Sequence, residues 1–352
     1  MSIEDICMAA PRSPSKAYPG TLFNSVEANQ DVFSRFVAHR GANNESPGNK
    51  LPHFPENTIP SLREAYAKGA LYVECDVHRT QDGRIIVLHD ETLRRTGRLN
   101  KSIAPTLTHK HFLKIRNEKI SQLHFKDEIA QIDVGSYASY LGDKFHGTKI
   151  SLLEDFLHEL KGHAERKLII EVKAGDMSIV DDLQKLITYF APKYKIKDSQ
   201  LLFISFDFEL IKILKRFLPN YKHSFLTIAT PSRDEVRDDP HHPGKTIGLY
   251  HRIKNKEDLD KMIAMAKEAN LDGIDVEYDA GLIDSDFMQR IRDSGLKSAV
   301  WTYPIDDNLD MAVKMLTAGA DLINTNQPEF IFNALQKLNA TAAKDEKKNP
   351  KP

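Results

Sequence analysis

Cysteine is nearly missing: Cys7 and Cys75 are the only two in 352 residues, too few for a disulfide framework, so a packed core must hold the fold. Cys75 lies between two carboxylates in a strand-like run, which gives little reason to expect redox chemistry. Long apolar runs are absent as well. No stretch approaches the ~20 residues of a membrane-spanning helix, so no stable membrane insertion is expected. The opening MSIEDICMAAPRSPSKAYPG has no basic segment followed by an apolar one, so no cleavable leader is read. A cytoplasmic location is expected, with leaderless secretion left open. Neither sign of charge dominates, since 49 Lys and Arg face 50 Asp and Glu, and that excludes a global field drawing the chain to nucleic acid. Any recognition of an anion has to be local.

What is present is alternation. Eight short β-branched or aromatic runs recur: FVAHRG (36–41), LYVECDV (71–77), KLIIEVK (167–173), LLFISF (201–206), HSFLTI (223–228), GIDVEY (273–278), KSAVWTY (297–303) and DLINTN (321–326). Amphipathic helical stretches separate them, the sequence form of repeated βα units, so the expected fold is an α/β (β/α)₈ TIM barrel. GRIIVLHD (83–90) follows TQDG, whose Asp-Gly is a hairpin signal, and reads as an excursion from strand two that adds no ninth stave. From about 93 to 148 the periodicity weakens over a length no ordinary βα loop has, so an insertion after strand two is expected, either a lid over the barrel mouth or a stabilising decoration. The barrel domain is placed at 35–338, with a Pro-, Ser- and Asn-rich extension at 1–34 and a disordered charged tail at 339–352. No pattern specifies an oligomer.

In such a barrel, chemistry stands at the C-terminal ends of the strands. Glu74 and Asp76 are one residue apart, so in a strand both point to one face while Cys75 takes the other. Carboxylates directed together into an interior repel unless a cation joins them. With Glu171 they suit one hard divalent ion, Ca²⁺ or Mg²⁺; the alternative is that they pair with Arg40 and Lys173 and bind no metal. His39 and His89, at the end of strand one and of the hairpin, are the candidates for removing a proton from an attacking oxygen and delivering one to a leaving alkoxide. Arg40 offers a fixed fork to phosphoryl oxygens, or a salt bridge to Glu74 or Asp76. Trp301 near a strand end forms an apolar wall for substrate or else packs in the core.

The set HRGA (39–42), PENT (55–58), VECDVHRTQDG (73–83), VLHDETLRRT (87–96), IIEVK (169–173), ISF (204–206), VWTY (300–303) and DLINTNQP (321–328) closely resembles the glycerophosphodiester phosphodiesterase family over residues 36 to 337. The resemblance implies a TIM barrel whose metal is held by Glu74, Asp76 and Glu171, with His39 and His89 as general acid and base. It implies that Arg40 and Lys173 neutralise phosphate charge and that Glu56 and Asn57 support the metal ligands. The substrate implied is a small glycerophosphodiester, cut by attack of the neighbouring glycerol hydroxyl through a cyclic phosphate to give an alcohol and glycerol 3-phosphate. PENT also has an architectural reading, with Asn57 or Thr58 capping a helix and Pro60 in its first turn. The chain departs from the family in the long polar connection NNESPGNKLPHF (43–54), in Pro304 after WTY, in TNQP, and in the polar stretch 230–259, read as an exposed loop in preference to a headgroup pocket. Two rivals remain: a phospholipase D-like lyase acting on sphingomyelin or lysophospholipid to release cyclic phosphate, and a non-catalytic phosphate-binding barrel.

Overall fold

Runs of Val, Ile, Leu and Phe fold into strands whose alternate side chains divide between two apolar layers. A computed structural model describes residues 34–43, 53–230, 236–238, 246–248 and 250–337. The expected N-terminal extension (except Ser34), the expected tail at 339–352 and residues 44–52 of the long connection lie outside the described residues. The strands are β1 (Phe36–Ala38), β2 (Tyr72–Arg79), β3 (Ile85–Val87), β4 (Lys167–Val172), β5 (Leu201–Ser205), β6 (Lys222–Thr227), β7 (Val236–Asp238), β8 (Thr246–Gly248), β9 (Gly273–Glu277), β10 (Lys297–Trp301) and β11 (Leu322–Thr325). Eight are parallel in the order β1-β11-β10-β9-β6-β5-β4-β2, and the pairing of β1 with β2 (Val37 with Tyr72, Ala38 with Val73) closes the barrel. β3 is the antiparallel excursion, pairing Val77 with Val87.

Side chains pointing outward, among them Phe36, Cys75, Ile170, Phe203 and Phe225, are buried against the helices. Inward-pointing Val37, Ile169, Ile204 and Leu226 make a smaller apolar plug inside the barrel. Inward-pointing polar residues gather toward the C-terminal strand ends, although Asp275 stands at the level of the plug beside Leu226. Side-chain caps start the helices just past those ends: Asp207 accepts from Leu210 N, Asn255 from Asp258 N, Asp284 from Phe287 N and Asn308 from Met311 N. No helix among the described residues is long and apolar enough to cross a membrane.

Three expectations change in detail. The first strand stops at Ala38, because Arg40 and Gly41 take left-handed φ values of 56° and 85° and turn the chain. The second runs on to Arg79, since β3 keeps pairing with it. The stretch 230–259 is more than a loop: β7 and β8 form an antiparallel hairpin within it, and Arg252 returns to bridge Ile228 at the barrel rim. Residues 93–148 contain the helix His109–Asn117 and several short turns, gathered on a separate apolar cluster that includes Leu93, Phe112, Ile115, Ile129 and Ile132.

Candidate active site

Alternation along β2 turns Glu74 and Asp76 inward, and the parallel register sets Asp76 beside Glu171 on β4. The three are buried, and one carboxylate oxygen from each lies within 4.8 Å of the others. Asn57 clasps Asp76 at two points, donating from Nδ2 to Oδ2 (2.7 Å) and accepting the Asp76 backbone N–H at Oδ1 (3.1 Å). The Arg40 backbone N–H donates to Glu74 Oε2 at 2.9 Å, while Glu74 Oε1 is buried with no hydrogen-bond partner. Lys173 Nζ stands 2.6 Å from both Asp76 Oδ1 and Glu171 Oε1. Burial, with Asp76 and Glu171 alongside, pushes the Glu74 carboxyl well above its usual range, and burial lifts Glu171 too. Asp76 goes the other way: burial opposes its charge, but Lys173 above all holds it well below the usual range.

The trio and its surroundings fit a divalent cation. Among the described residues, and leaving the histidines aside, the carboxylates of Glu56, Glu74, Asp76, Asp90 and Glu171 outnumber the Arg40, Arg95 and Lys173 cations paired with them by two, and Glu74 keeps one buried oxygen without a hydrogen-bond partner. All-oxygen donors of this kind suit a hard ion.

His39 follows β1 into the turn. Its Nδ1 donates to Asn326 Oδ1 at 2.7 Å, leaving Nε2 3.8 Å from Glu74 Oε2. Burial, reinforced by the Arg40 charge, lowers its pKa to about 3, so the ring is neutral and Nε2 is an acceptor. His89 ends the excursion and has a different partner: its Nδ1 donates to the Asp90 carboxylate at 2.7 Å. His78, one turn of the strand beyond Asp76 on the same face, donates from Nε2 to the His89 carbonyl at 3.0 Å and fixes that backbone. Burial depresses the His78 pKa to about 4.

Arg40 reaches two carboxylates, Glu56 Oε1 at 3.2 Å and Asp76 Oδ2 at 3.5 Å, and also lines the cavity, so the salt bridge and the fork toward substrate coexist. The cavity, about 380 Å³, is lined by polar residues that include His39, Arg40, Glu74, His89, Glu171 and Lys173 and by apolar or aromatic ones that include Ile204, Phe206, Leu226, Tyr250, Trp301 and Tyr303. Trp301 is pinned by donating from Nε1 to Thr227 O at 3.0 Å. A second cavity of about 740 Å³ shares His89, Glu171, Lys173, Phe206 and Tyr250 and continues to Lys119, Ile120 and Ser121 of the insertion. Glu56 and Asn57 lie behind the cavity wall and act on it through Arg40 and Asp76. Thr58, with Oγ1 accepting from Ser61 N, is the cap of the helix Ile59–Ala67, so PENT is both architecture and support.

Sequence reading missed Asn326, Arg95, Phe206 and Tyr250. It also missed Asp275, a buried carboxyl inside the barrel that burial, helped by Glu171, pushes up to about 8 and that Asn324 Nδ2 contacts at 3.4 Å. Arg95, Phe206 and Asn326 each stand inside a quoted motif, which was the signal that could have found them.

The Glycerophosphoryl diester phosphodiesterase family model matches residues 39–330. A glycerophosphodiester phosphodiesterase of Caldanaerobacter subterraneus subsp. tengcongensis is 25% identical over 301 residues, 86% of this chain and 97% of that protein. A glycerophosphocholine phosphodiesterase of Rattus norvegicus is 25% identical over 283 residues, 75% of this chain but only 39% of that protein. Among solved structures, an Oleispira antarctica phosphodiesterase in complex with the product sn-glycerol-3-phosphate superposes with a TM-score of 0.61 at 19% identity, covering 86% of this chain and 96% of that one. A glycerophosphodiester phosphodiesterase from Agrobacterium tumefaciens gives 0.55 at 20%, covering 85% and 99%. At these identities the structural likeness establishes the barrel fold.

Proposed function

Since the chain belongs to the glycerophosphoryl diester phosphodiesterase family, we propose that it hydrolyses glycerophosphodiesters to an alcohol and glycerol 3-phosphate, with His39 and His89 as the acid–base pair and one divalent cation, Ca²⁺ or Mg²⁺, at Glu74, Asp76 and Glu171. One observation carries this reading. Two imidazoles, each anchored through Nδ1, share a cavity with Glu74 and Glu171 of the carboxylate trio, so one ring nitrogen of each is left for a bound phosphodiester.

The asymmetry of the anchors divides the roles. His39, neutral and held by an amide oxygen, takes the proton of the neighbouring glycerol hydroxyl on Nε2 as that oxygen attacks phosphorus. His89, held by a carboxylate through its Nδ1, gives its Nε2 proton to the leaving alkoxide as the P–O bond breaks. The cyclic phosphate is then opened by water with the two roles exchanged. Arg40 and Lys173 meet the phosphoryl oxygens, and a divalent ion in the trio, when bound, supplies further charge neutralisation there.

His39→Ala should lower turnover of glycerophosphocholine by at least ~10²-fold with circular dichroism unchanged; normal turnover in that variant would sink the mechanism. A specific observation favours a second reading. Tyr303 lines the cavity and Ile305, two residues on, is 58% exposed, which gives the rim an apolar lip of the kind a lyase acting on lysophospholipid needs. Phosphorus NMR separates the two, because glycerol 3-phosphate marks the hydrolase and persistent cyclic phosphate the lyase.

A further inference from the structure

Arg95 lines neither cavity, yet it joins two acids of the polar site. It comes from the first turn of the insertion, five residues past Asp90. Its Nη1 donates to Glu56 Oε2 at 2.6 Å and its Nη2 to Glu56 Oε1 at 2.7 Å, a two-point fork on a carboxylate buried to 4% exposure. The same guanidinium donates from Nε to Asp90 Oδ2 at 3.0 Å and from Nη2 to Asp90 Oδ1 at 2.9 Å. Both acids are already committed to the chemistry: Glu56 accepts from Arg40 at 3.2 Å, and Asp90 accepts from His89 Nδ1 at 2.7 Å. Two arms of the site, on loops from different strands, therefore meet on one side chain. Arg95 is itself steadied by Arg98, which donates to the Arg95 carbonyl at 2.9 Å and to the Tyr137 carbonyl at 2.7 Å.

We propose that Arg95 is a positioning residue of the acid–base machinery: by gripping Asp90 and Glu56 at once it fixes the His89 imidazole and the Arg40 fork in register on the same phosphodiester. Only a guanidinium can do this. Four N–H bonds to two carboxylates need a planar fork, and a lysine ammonium is a point charge with three donors that cannot span both acids in that geometry. Burial opposes the charge on Asp90, but hydrogen bonds from His89 and Arg95 hold its carboxyl well below the usual range, so it stays an anion against His89. Without Arg95, Asp90 is free to turn from His89, and the buried Glu56 keeps only Arg40.

The inference rests on His89 delivering the proton to the leaving oxygen, and that makes it testable by changing the leaving group. Two substrates share the glycerol end: glycerophosphocholine, whose alkoxide takes the electron pair of the P–O bond and needs a proton, and a glycerol p-nitrophenyl phosphodiester, whose nitrophenolate leaves without one. Arg95→Ala and Asp90→Asn should each lower the single-turnover rate of choline release by about 10²-fold and that of nitrophenolate release by less than about tenfold, the first turnover being read because the later opening of the cyclic phosphate uses His89 on both esters. The double variant should be no worse than about the weaker single one, because the two changes break one unit. Arg95→Lys, which keeps the charge and removes the fork, should show the same split and serves if the alanine variant does not fold. Equal loss on both esters, or additive losses in the double variant, would overturn the proposal. His89→Ala is the control. A split there with equal losses in Arg95→Ala removes the role of Arg95 alone, whereas equal losses in His89→Ala remove the acid assignment and this inference with it.

Discussion

Gly41 shows at residue scale why chemistry and backbone are hard to separate in the HRG motif. Arg40 and Asn57, both non-glycine, hold φ near 56° and 57°, a region that costs most side chains, and each has its backbone bonded within the site: Arg40 N–H to Glu74, and Asn57 N–H to the Arg40 carbonyl. Gly41 sits between them at φ 85°, and a Cβ there would come 2.3 Å from Ser61 Oγ and 2.8 Å from the Ser61 carbonyl carbon. Gly41→Ala should therefore cost about 1–3 kcal/mol by urea denaturation and depress turnover as well, since the turn carries His39 and Arg40; an unshifted midpoint would show that the turn tolerates a side chain. His39, Arg40, Glu74, Asp76, His89, Glu171 and Lys173 were legible because each stands at a strand end or on an inward face, positions that period-two alternation exposes in a linear sequence. Asn326 was not. It meets His39 only because β1 pairs with β11, matching Ala38 with Thr325, and a closure between the first and last strands leaves no local mark.

At the scale of elements, residues 93–148 were recognisable as an insertion but not as a folded unit. Apart from the helix His109–Asn117, the apolar residues stand at irregular spacings on short turns, so no period betrays their common cluster. Asp133 organises that irregular chain. Fully buried, it accepts from Asn100 Nδ2 (2.8 Å), Gly135 N (2.7 Å), Ser136 Oγ (2.7 Å) and Gly147 N (2.9 Å). Burial disfavours its charge, but these donors win and hold its pKa below the usual range. A depressed carboxyl contributes stability that is present above its unfolded pKa of ~3.9 and is lost as pH falls through the folded value. Asp133→Asn should thus destabilise the protein by about 2–3 kcal/mol at pH 7, with the gap to the parent narrowing below pH ~4. A gap constant with pH would mean the carboxylate's charge does not matter. The β7–β8 hairpin escaped notice for a related reason: its strands are three residues each, VRD and TIG, too short to display alternation.

The barrel was readable across the whole molecule because its strands repeat, whereas the charge balance of −1 conceals how unevenly charge is distributed. Many ion pairs among the described residues lie on the outer helices or at the strand bottoms, such as Arg63 with Glu159 and Lys215 with Asp272. At the C-terminal mouth the carboxylates outnumber the cations, and Glu74 keeps a buried oxygen without a donor. The site therefore withholds stability from the bare fold, and a divalent cation that binds only the folded chain should return it. The expected stabilisation is about 2.7 kcal/mol at a hundredfold excess over Kd. Thermal melting in Mg²⁺ or Ca²⁺ should give a concentration-dependent rise in Tm that a chelator reverses and that equal ionic strength of Na⁺ does not reproduce. Glu74→Gln, which removes one of the crowded charges, should melt no lower than the parent without divalent ion and should lose most of the ion-dependent rise. A parent Tm indifferent to both ions, or a glutamine variant that responds as the parent does, would show that the trio is balanced by Lys173 and Arg40 alone.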